Sequence, residues 1–562
     1  MTLYDKDGNK IKVDENKELA RGGEGRIIQV AKDKVVKLYH HGIESITESK
    51  YKSLYQLKSN VFMKPEKLLY DNRKKIVGFS MNILPPDYYP LYSALNINFC
   101  NRHGIDDKYK VRMSTKLIDA MSYAHKQNIV IGDFNPFNMS IDDKCNLIFI
   151  DVDSYETPGD KHSGRLLTEV RDYLYNGEVN KNSDYFSLAT VVFNFLTNVH
   201  PFKGVHKKYG SIEERMVKKL PVLKSDPDLK VPKCYHPIKD KFLADQFERI
   251  FLGGERFLIS LKPGTKIQVK QKIKVKQKDD QLMIFEMLND NVRFIEASDN
   301  RVCAHMKDQI IVFDTSYKGQ FREIGRLDKS YKTYPVKDKV FWSDGVKLYY
   351  TTDFKEKHEI SNFEFDNPLF VNQYDDIIVV INNDVMYKIY LNNIISTHNH
   401  ITGDNSNNVK VETLSVFGRG FTKYNGMVQY INGRSFVYYN NNSVLNTVHF
   451  PDMHIKDMIQ KKNVGIAQVI ENDKIKYNLF NIKGLKVEFD GEDFKGLRRF
   501  GYKENQFLII PEDDALSFRR IIDFGEIANF KCNLVDENSE VYVTDAGIVV
   551  NNGTGLYLMN SH

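Results

Sequence analysis

Cysteines are few in this sequence, and they lie far apart. Its 562 residues include five of them, with no Cys-x-x-Cys pair: Cys100, Cys145, Cys234, Cys303 and Cys532. The odd number and the wide spacing argue against a disulfide framework and against a cysteine-based zinc site. We therefore expect a protein of a reducing compartment, the cytoplasm.

Long apolar runs and a strong excess of one charge are also missing. The longest apolar run, LATVVFNFL at residues 188–196, is shorter than the roughly 20 residues that cross a bilayer. The N-terminus lacks the apolar core of a signal peptide. The 80 basic and 74 acidic residues leave a net charge of only +6, which argues against a nucleic-acid partner. Neither a membrane nor a nucleic acid is expected as a partner.

Helix-like and strand-like patterns are mixed up to about residue 260. Four segments carry them most clearly: alternating strands at 26–39 and 74–84, and helical periodicity at 110–128 and 183–198. These patterns predict an α+β domain over residues 1–260. A lysine-rich stretch that includes Pro263 and Gly264 follows, and we interpret residues 261–285 as a basic linker.

The helical periodicity disappears after the linker, and a strand–turn–strand pattern repeats. Seven such units begin at residues 300, 338, 375, 425, 461, 504 and 538. Their spacing of roughly 35 to 50 residues is about the length of a four-stranded propeller blade. The spacing predicts a seven-bladed β-propeller over residues 286–562, with a pair of β-sandwiches as the alternative.

Carboxylates cluster in the stretch IVIGDFNPFNMSIDDKCNLIFIDVDSYE at residues 129–156. Asp133, Asn138, Asp151 and Asp153 surround two short apolar runs that are typical of strands. Neighbouring carboxylates repel one another and lose solvation when buried, so such a cluster usually holds a cation or moves a proton. Upstream, the glycine-rich RGGEG precedes a strand that contains Lys37, and glycines of this kind let backbone amides approach phosphate oxygens.

Taken in order, these motifs resemble the protein-kinase superfamily. They are most similar to the divergent bacterial and phage kinase-like proteins with a Gly-Asp-x-Asn-Pro catalytic loop. The resemblance covers about residues 15–258 and is carried by GGEG, VVK, IGDFNPFN, IDVDS and SDYFSLATVVFNFLTNVHPFKG. It implies a bilobal kinase-like domain that binds ATP and Mg²⁺, with an N-lobe at about 1–84 and a C-lobe at about 85–260.

The resemblance also implies roles for single residues. Lys37 would contact the α- and β-phosphates, and Asp133 would act on the acceptor hydroxyl. Asn138, Asp151 and Asp153 would supply oxygen ligands to Mg²⁺, with Asp151 favoured over Asp153 by its spacing from Asp133. The other nucleotide-binding positions would be Gly22, Gly23, Gly25 and Glu48, with the hinge residues Met81, Asn82, Ile83 and Leu84.

Three further expectations come from the same resemblance. Glu48, or otherwise Glu44, should pair with Lys37 from a helix that begins near Ser45. Asp184 should be structural, capping the central helix and accepting backbone amides of the catalytic loop. Ile131 and Gly132 stand where the family has His-Arg before the catalytic aspartate, so activation by loop phosphorylation is not expected.

The favoured function is an ATP-dependent Ser/Thr-type protein kinase whose propeller docks a protein substrate or partner. The four chemical positions Lys37, Asp133, Asn138 and Asp151 all persist, which favours activity over a nucleotide-binding pseudokinase scaffold. A kinase-fold transferase that uses a non-protein acceptor, or that transfers a nucleotidyl group, is the other alternative. The segment 397–408, which contains His398, His400 and Asp404, is interpreted as an Asn-rich loop and not as a metal site.

Overall fold

The structure is a computed structural model, and its chain separates into two compact units. The first unit comprises Met1–Gln271 and Glu471–Lys474, and the second comprises Lys272–Ile470 and Ile475–His562. The described residues are 1–85, 87–164, 166–174, 179–261, 282–360, 369–374, 377–382, 385–390, 411–415, 420–422, 428–431, 434–441, 444–450, 455–483, 486–489, 496–503 and 506–561. Most of the expected linker at 261–285 and all of the loop at 397–408 lie outside them.

The first unit begins with a seven-stranded antiparallel sheet. Its strands are β1 (Thr2–Tyr4), β2 (Lys10–Lys12), β3 (Glu18–Arg21), β4 (Gly25–Gln29), β5 (Lys34–Tyr39), β6 (Lys67–Tyr70) and β7 (Ile76–Asn82). The strand order is β2-β1-β6-β7-β5-β4-β3, so β5 lies between β4 and β7.

Strand β5 shows why this sheet can carry a buried charge. Side chains of a strand alternate between the two faces of its sheet. Val36 and Leu38 pack into the apolar core on one face, together with Ile28 of β4. Lys37 and Tyr39 therefore share the opposite face of β5, and this is the face on which the candidate site forms.

The described residues of the first unit also form six α-helices. They are α1 (Glu48–Leu54), α2 (Ile97–His103), α3 (Asp107–Lys126), α4 (Lys181–Thr197), α5 (Ile212–Val217) and α6 (Lys241–Glu248), and a π-helical turn, Arg249–Gly253, follows α6. Side-chain caps explain where several of them begin. Asp106 caps α3, and Asn180 forms a reciprocal capping box with Ser183 at α4.

Five short strands and four 3₁₀ turns lie between these elements. The strands are β8 (Tyr89–Pro90), β9 (Met139–Ile141), β10 (Leu147–Phe149), β11 (Val205–His206) and β12 (Leu229–Lys230). The turns are Glu15–Lys17, Ser93–Leu95, Pro136–Asn138 and Val152–Ser154. The last two turns flank the β9–β10 hairpin, and the candidate site residues lie on them. The N-terminal half is therefore a mixed α/β unit, as the sequence predicts.

The described part of the second unit consists of strands, which form seven four-stranded antiparallel sheets. Six of these sheets are each built from four strands that follow one another in the chain. The first two contain β14 (Phe294–Ala297), β15 (Arg301–His305), β16 (Gln309–Asp314) and β17 (Arg322–Asp328), and then β18 (Lys332–Val336), β19 (Lys339–Ser343), β20 (Leu348–Thr351) and β21 (His358–Glu359). The other four contain β22 (Leu369–Tyr374), β23 (Ile377–Asn382), β24 (Val385–Tyr390) and β25 (Val411–Ser415); β26 (Gly420–Thr422), β27 (Val428–Ile431), β28 (Arg434–Asn441) and β29 (Val444–Phe450); β30 (Ile455–Lys461), β31 (Val464–Glu471), β32 (Lys474–Lys483) and β33 (Lys486–Phe489); and β34 (Gly501–Lys503), β35 (Phe507–Glu512), β36 (Ala515–Arg520) and β37 (Glu526–Lys531). The predicted all-β character of this half is confirmed.

The seventh sheet joins the two ends of the second unit. It contains β13 (Leu282–Leu288), β38 (Glu540–Val543), β39 (Ile548–Asn551) and β40 (Leu556–Ser561), with β13 paired to β40. Within the described residues of the whole chain, no helix combines the length and the apolar character needed to cross a membrane.

Candidate active site

Helix α4 fixes the loop that carries Asp133. The fully buried Asp184 accepts hydrogen bonds from the backbone N–H groups of Ile131 and Gly132, both at 2.8 Å. His125 contacts the same carboxylate through Nε2 at 2.8 Å. The expected contact of Asp184 with the backbone amides of the loop before Asp133 is confirmed, but the capping part of that expectation is wrong, because the side chain of Asn180 caps α4.

The space beside Gly132 explains why no arginine precedes Asp133. Gly132 has a φ of +75°, and a Cβ atom at this position would clash with the imidazole ring of His162. Burial and the nearby Lys50 cation lower the pKa of His162 to about 4, so this ring is neutral at physiological pH. His162 therefore packs against the loop as an uncharged group.

Asp133 and Asn138 are brought together by a local turn. The side chain of Asn135 accepts the backbone N–H of Phe137, and Pro136 begins the 3₁₀ turn with a pre-set φ. This turn brings the Asn138 Nδ2 atom to 3.0 Å from Asp133 Oδ2. The five-residue spacing is thus enough to join the two side chains.

The carboxyl group of Asp133 is buried but only partly satisfied. Its Oδ1 atom has no hydrogen-bond partner among the described residues. Burial raises the pKa of Asp133 to about 7; the Asp151 carboxylate adds to this rise, and the amides of Asn135 and Asn138 oppose it. A carboxyl group with a pKa near neutrality and an unused acceptor oxygen is suited to take a proton.

Asp151 and Asp153 lie on the turn after strand β10 and have different environments. Asp151 adopts a left-handed backbone conformation with a φ of +55°, and its side chain is 47% exposed. The Asp153 side chain is only 3% exposed. Asp151 is therefore the carboxylate that a ligand can reach, and Asp153 faces the protein interior.

Lys37 connects the sheet to this turn. Its Nζ atom lies 2.9 and 2.8 Å from the two carboxylate oxygens of Asp153, and 3.1 Å from Asp151 Oδ1. Glu24 is more distant, at 3.9 Å. Burial lowers the pKa of Lys37, but the two aspartates outweigh this effect and raise it above its ordinary value. Lys37 is a cation that two carboxylates hold in place.

The expected pair between Lys37 and Glu48 does not form. Glu48 is exposed and accepts a hydrogen bond from the Tyr70 hydroxyl at 3.4 Å. Helix α1 begins at Glu48, capped by Thr47, and not near Ser45 as the sequence suggested. The buried residues of α1 are Lys50 and Leu54, so Lys50 is the charged residue of this helix that is removed from solvent.

The glycine cluster forms a tight turn between β3 and β4. The Gly22 N–H donates to the Gly25 carbonyl at 2.8 Å. A Cβ at Gly25 would clash with the Leu38 carbonyl of the neighbouring strand, whereas Gly22 and Gly23 have open space around them. Gly25 is thus required by strand pairing, and Gly22 and Gly23 keep the turn accessible to a ligand.

The expected hinge residues lie at the end of β7. Met81 is buried, and the Asn82 side chain accepts a hydrogen bond from Lys34 Nζ at 2.7 Å. The backbone N–H of Ile83 donates to the Asp33 carbonyl at 2.9 Å. Ile83 and Leu84 are both partly buried. The segment therefore continues from the end of the central strand β7 and is anchored to the β4–β5 turn.

Tyr39 belongs to the site although the sequence reading did not include it. Its hydroxyl donates to Asp153 Oδ2 at 2.8 Å. Burial, followed by the Asp153 carboxylate, raises the pKa of Tyr39, which keeps this donor protonated. The period of two along β5 places Tyr39 on the same face as Lys37, and this pattern could have identified it.

A second acidic cluster in the first unit does not fit a metal. His206, Asp226 and Asp228 bring their ligand atoms within 4.8 Å of one another. His206 Nδ1 already accepts the backbone N–H groups of Lys208 and Tyr209, so its proton lies on Nε2, which faces Asp226. This arrangement is a hydrogen-bonded turn.

The main site does fit a nucleotide with Mg²⁺. A half-exposed carboxylate, Asp151, and an amide oxygen, Asn138, are the hard oxygen donors that Mg²⁺ prefers, and Asp133 retains an unused buried oxygen beside them. The buried cation Lys37 and the open glycine turn can both face phosphate oxygens. The candidate site of this mixed α/β unit therefore combines one buried cation with several oxygen donors.

Comparison with known proteins agrees with a kinase-like relationship. No protein-family model matches the chain. A protein of Acanthamoeba polyphaga mimivirus named "Putative serine/threonine-protein kinase" is 25% identical over 194 residues, which are 32% of this chain and 70% of that protein. This distant similarity supports a kinase-like relationship for part of the chain.

Proposed function

We propose that the first unit transfers the γ-phosphate of ATP to an acceptor hydroxyl, as Ser/Thr-type protein kinases do. The observation that carries this proposal is the state of Asp133, which is buried, has a pKa of about 7 and hydrogen-bonds Asn138. A carboxyl group with these properties can accept the proton of a hydroxyl nucleophile near neutral pH. The similarity to the viral protein named as a putative kinase supports the same reaction class.

In this proposal the residues act by position and charge. Asp133 orients the acceptor hydroxyl and receives its proton as the new oxygen–phosphorus bond forms. The bond between the γ-phosphorus and the β–γ bridging oxygen breaks, and ADP leaves with that oxygen. Lys37 holds the α- and β-phosphates, and Gly22 and Gly23 let backbone amides approach them.

Asn138 and Asp151 are the residues that would hold Mg²⁺. When bound, the metal neutralises charge on the phosphates and on the departing ADP. Asp151 is the principal ligand in this proposal, because its carboxylate is half-exposed and that of Asp153 is buried against Lys37. The hinge segment at residues 81–84 is the segment that we propose binds adenine.

The first experiment follows the position of the label. The full-length protein is incubated with MgATP labelled at either the α- or the γ-phosphate, together with a lysate of the source cell. We expect labelled protein from γ-labelled ATP alone. Label from α-labelled ATP would indicate nucleotidyl transfer, and label confined to small molecules would indicate a non-protein acceptor. Nucleotide binding without any label would support the scaffold alternative and contradict the proposal.

We also propose that the seven sheets of the second unit form a seven-bladed β-propeller that docks a protein substrate or partner. Seven consecutive four-stranded sheets support it, as does the pairing of β13 with β40, which is how a ring of blades is closed. Two-dimensional averages from electron microscopy of the protein should contain a seven-lobed ring. An open arc, or two stacked sheets, would contradict the propeller.

A further inference from the structure

The strongest contacts of Lys37 are with Asp153. Both Asp153 oxygens lie within 2.9 Å of Lys37 Nζ, and both side chains are nearly inaccessible. Tyr39 adds a third hydrogen bond to the same carboxylate at 2.8 Å. Asp151 makes one longer contact of 3.1 Å, and its side chain is half-exposed. Asp153 is therefore fixed to the lysine, and Asp151 retains contact with solvent.

Helix α1 supplies no negative charge to Lys37. Its buried charged residue is Lys50, whose Nζ donates to the Lys161 carbonyl at 3.4 Å. Burial lowers the pKa of Lys50, and the charges of Asp153 and Asp160 oppose this effect. The charge that α1 buries is therefore positive, and the anions that contact Lys37 lie outside this helix.

We propose that Asp153 is the positioning residue for Lys37, in place of the glutamate that the kinase resemblance leads one to expect on helix α1. This inference rests on the proposed function, because it concerns how Lys37 is aimed at the ATP phosphates. The carboxylate that holds Lys37 lies on the turn after β10, and the buried charged residue of helix α1 is the cation Lys50.

This arrangement ties Lys37 to the metal-binding turn. Asp151 and Asp153 are two residues apart on one 3₁₀ turn, Val152–Ser154, which Asp151 precedes. The Ser154 hydroxyl and N–H both donate to the Asp151 carbonyl and hold that turn. The position of the phosphate-binding lysine and that of the proposed metal ligand are consequently set together, and no movement of helix α1 is needed to complete the site.

The experiment measures the reactivity of Lys37 in the nucleotide-free and metal-free protein. Acetic anhydride acylates only unprotonated amines, and mass spectrometry of the Lys37 peptide gives the rate at pH 8. Asp153→Asn removes one buried carboxylate partner of Lys37. It should lower the pKa of Lys37 by about one unit and therefore raise the acylation rate about tenfold. Asp153→Glu keeps the charge and should return the rate toward that of the wild type.

Glu66→Gln is the matched control. Glu66 Oε2 lies 2.6 Å from the Nζ atom of Lys34, which is on the same strand, β5, as Lys37. Both side chains of this pair are more than one-third exposed. This variant should leave Lys37 acylation unchanged. Thermal unfolding of each variant establishes that it is folded, and Tyr39→Phe, which removes only one hydrogen bond to Asp153, provides a milder change that should move the rate in the same direction.

Kinetics then separate positioning from metal binding. Asp153→Asn should raise the KM for ATP about tenfold and change the Mg²⁺ concentration for half-maximal activity by less than about twofold. Asp151→Asn, in contrast, should raise that Mg²⁺ concentration. The inference is overturned if Asp153→Asn leaves Lys37 acylation within about twofold of wild type, or if Glu48→Gln gives the larger rise. The acylation result stands even if the protein transfers no phosphate, so failure of the proposed function and failure of this inference can be told apart.

Discussion

Buried carboxylates occur in both units, but their surroundings differ. In the second unit, Glu540 is 1% exposed, and its Oε2 atom accepts the Ile295 N–H at 2.8 Å and the Asn551 side-chain amide at 3.0 Å. In the first unit, Asp133 is similarly buried, yet one of its oxygens has no partner among the described residues. Buried polar groups are normally hydrogen-bonded, so Asp133 Oδ1 is a buried acceptor that is still available for a hydrogen bond.

The comparison separates two uses of buried charge. Glu540 joins β14 to β38 and β39, so its hydrogen bonds hold strands of different sheets together. Asp133 is held in place by its neighbours and joins no strands. The first arrangement should contribute to stability and the second to chemistry.

The largest effect is expected for Asp133→Asn. The loss of a proton acceptor should lower kcat by about 10²- to 10⁴-fold, while the Kd for MgATP stays within about threefold, because the group acts mainly in the transition state. Initial rates and nucleotide titrations measure the two quantities. Glu540→Gln is the control and should retain the wild-type kcat at a temperature where it is folded. If Asp133→Asn keeps one-third or more of the wild-type kcat, the role of Asp133 is wrong.

The second prediction concerns Glu540→Ala. It leaves the Ile295 N–H and the Asn551 amide without their buried acceptor, so the free energy of unfolding of the second unit should fall by about 2–5 kcal/mol. Urea unfolding measures this change. Glu323→Ala, which removes a half-exposed pair with Arg326, should cost about 0.5 kcal/mol or less. Equal losses for the two variants would show that Glu540 is not a structural link.

Local sequence spacing predicted part of the site. Asp133 and Asn138 lie on one short turn, so their meeting depends on five residues and on the φ preference of Pro136. The contact of Asp184 with the loop was also expected, but from the resemblance to the kinase superfamily and not from local spacing. The repeated strand–turn–strand pattern after the linker likewise predicted an all-β region, because strands and turns are also read from neighbouring residues.

The partner of Lys37 could not be predicted in this way. Asp153 lies 116 positions from Lys37 along the chain, and burial at the meeting of two elements decides their contact. The residue that α1 buries depends on where this seven-residue helix begins, and a cap at Thr47 leaves Glu48 exposed. The pairing of β13 with β40 is likewise set by the tertiary fold, because each strand alone has no preference for the other.

A third prediction uses the pH dependence of stability. The ordinary pKa of an aspartate is 3.8, and that of Asp133 is raised to about 7. Between these values the folded protein keeps a proton that the unfolded chain has lost, so rising pH lowers the free energy of unfolding by up to about 1.4 kcal/mol per pH unit. Below pH 4 both states are protonated, and the penalty disappears.

Asp133→Asn removes this penalty. The variant should therefore be more stable than the wild type at pH 8, by about 1–3 kcal/mol, and the difference should shrink as the pH falls to 5. Urea unfolding of the metal-free protein at pH 5, 6.5 and 8 provides the measurement. Glu323→Gln is a control of opposite sign, because the hydrogen bond with Arg326 lowers the pKa of Glu323. A stability difference that does not depend on pH would contradict the raised pKa of Asp133.

The smallest effect is expected when the second unit is removed altogether. Every residue assigned to phosphate, metal or adenine lies before Asp184, and the first compact unit includes helices α1 to α6. A chain that ends at residue 261 should therefore fold and bind MgATP with a Kd within about threefold of the full-length value, because independent domains keep their own cores. Its autophosphorylation should persist, and labelling of the native partner in a lysate should decline. Calorimetric titration and circular dichroism provide the measurements. A folded, soluble truncated protein that no longer binds ATP would mean that the second unit completes the site, and the division of chemistry and docking between the two units would then be wrong.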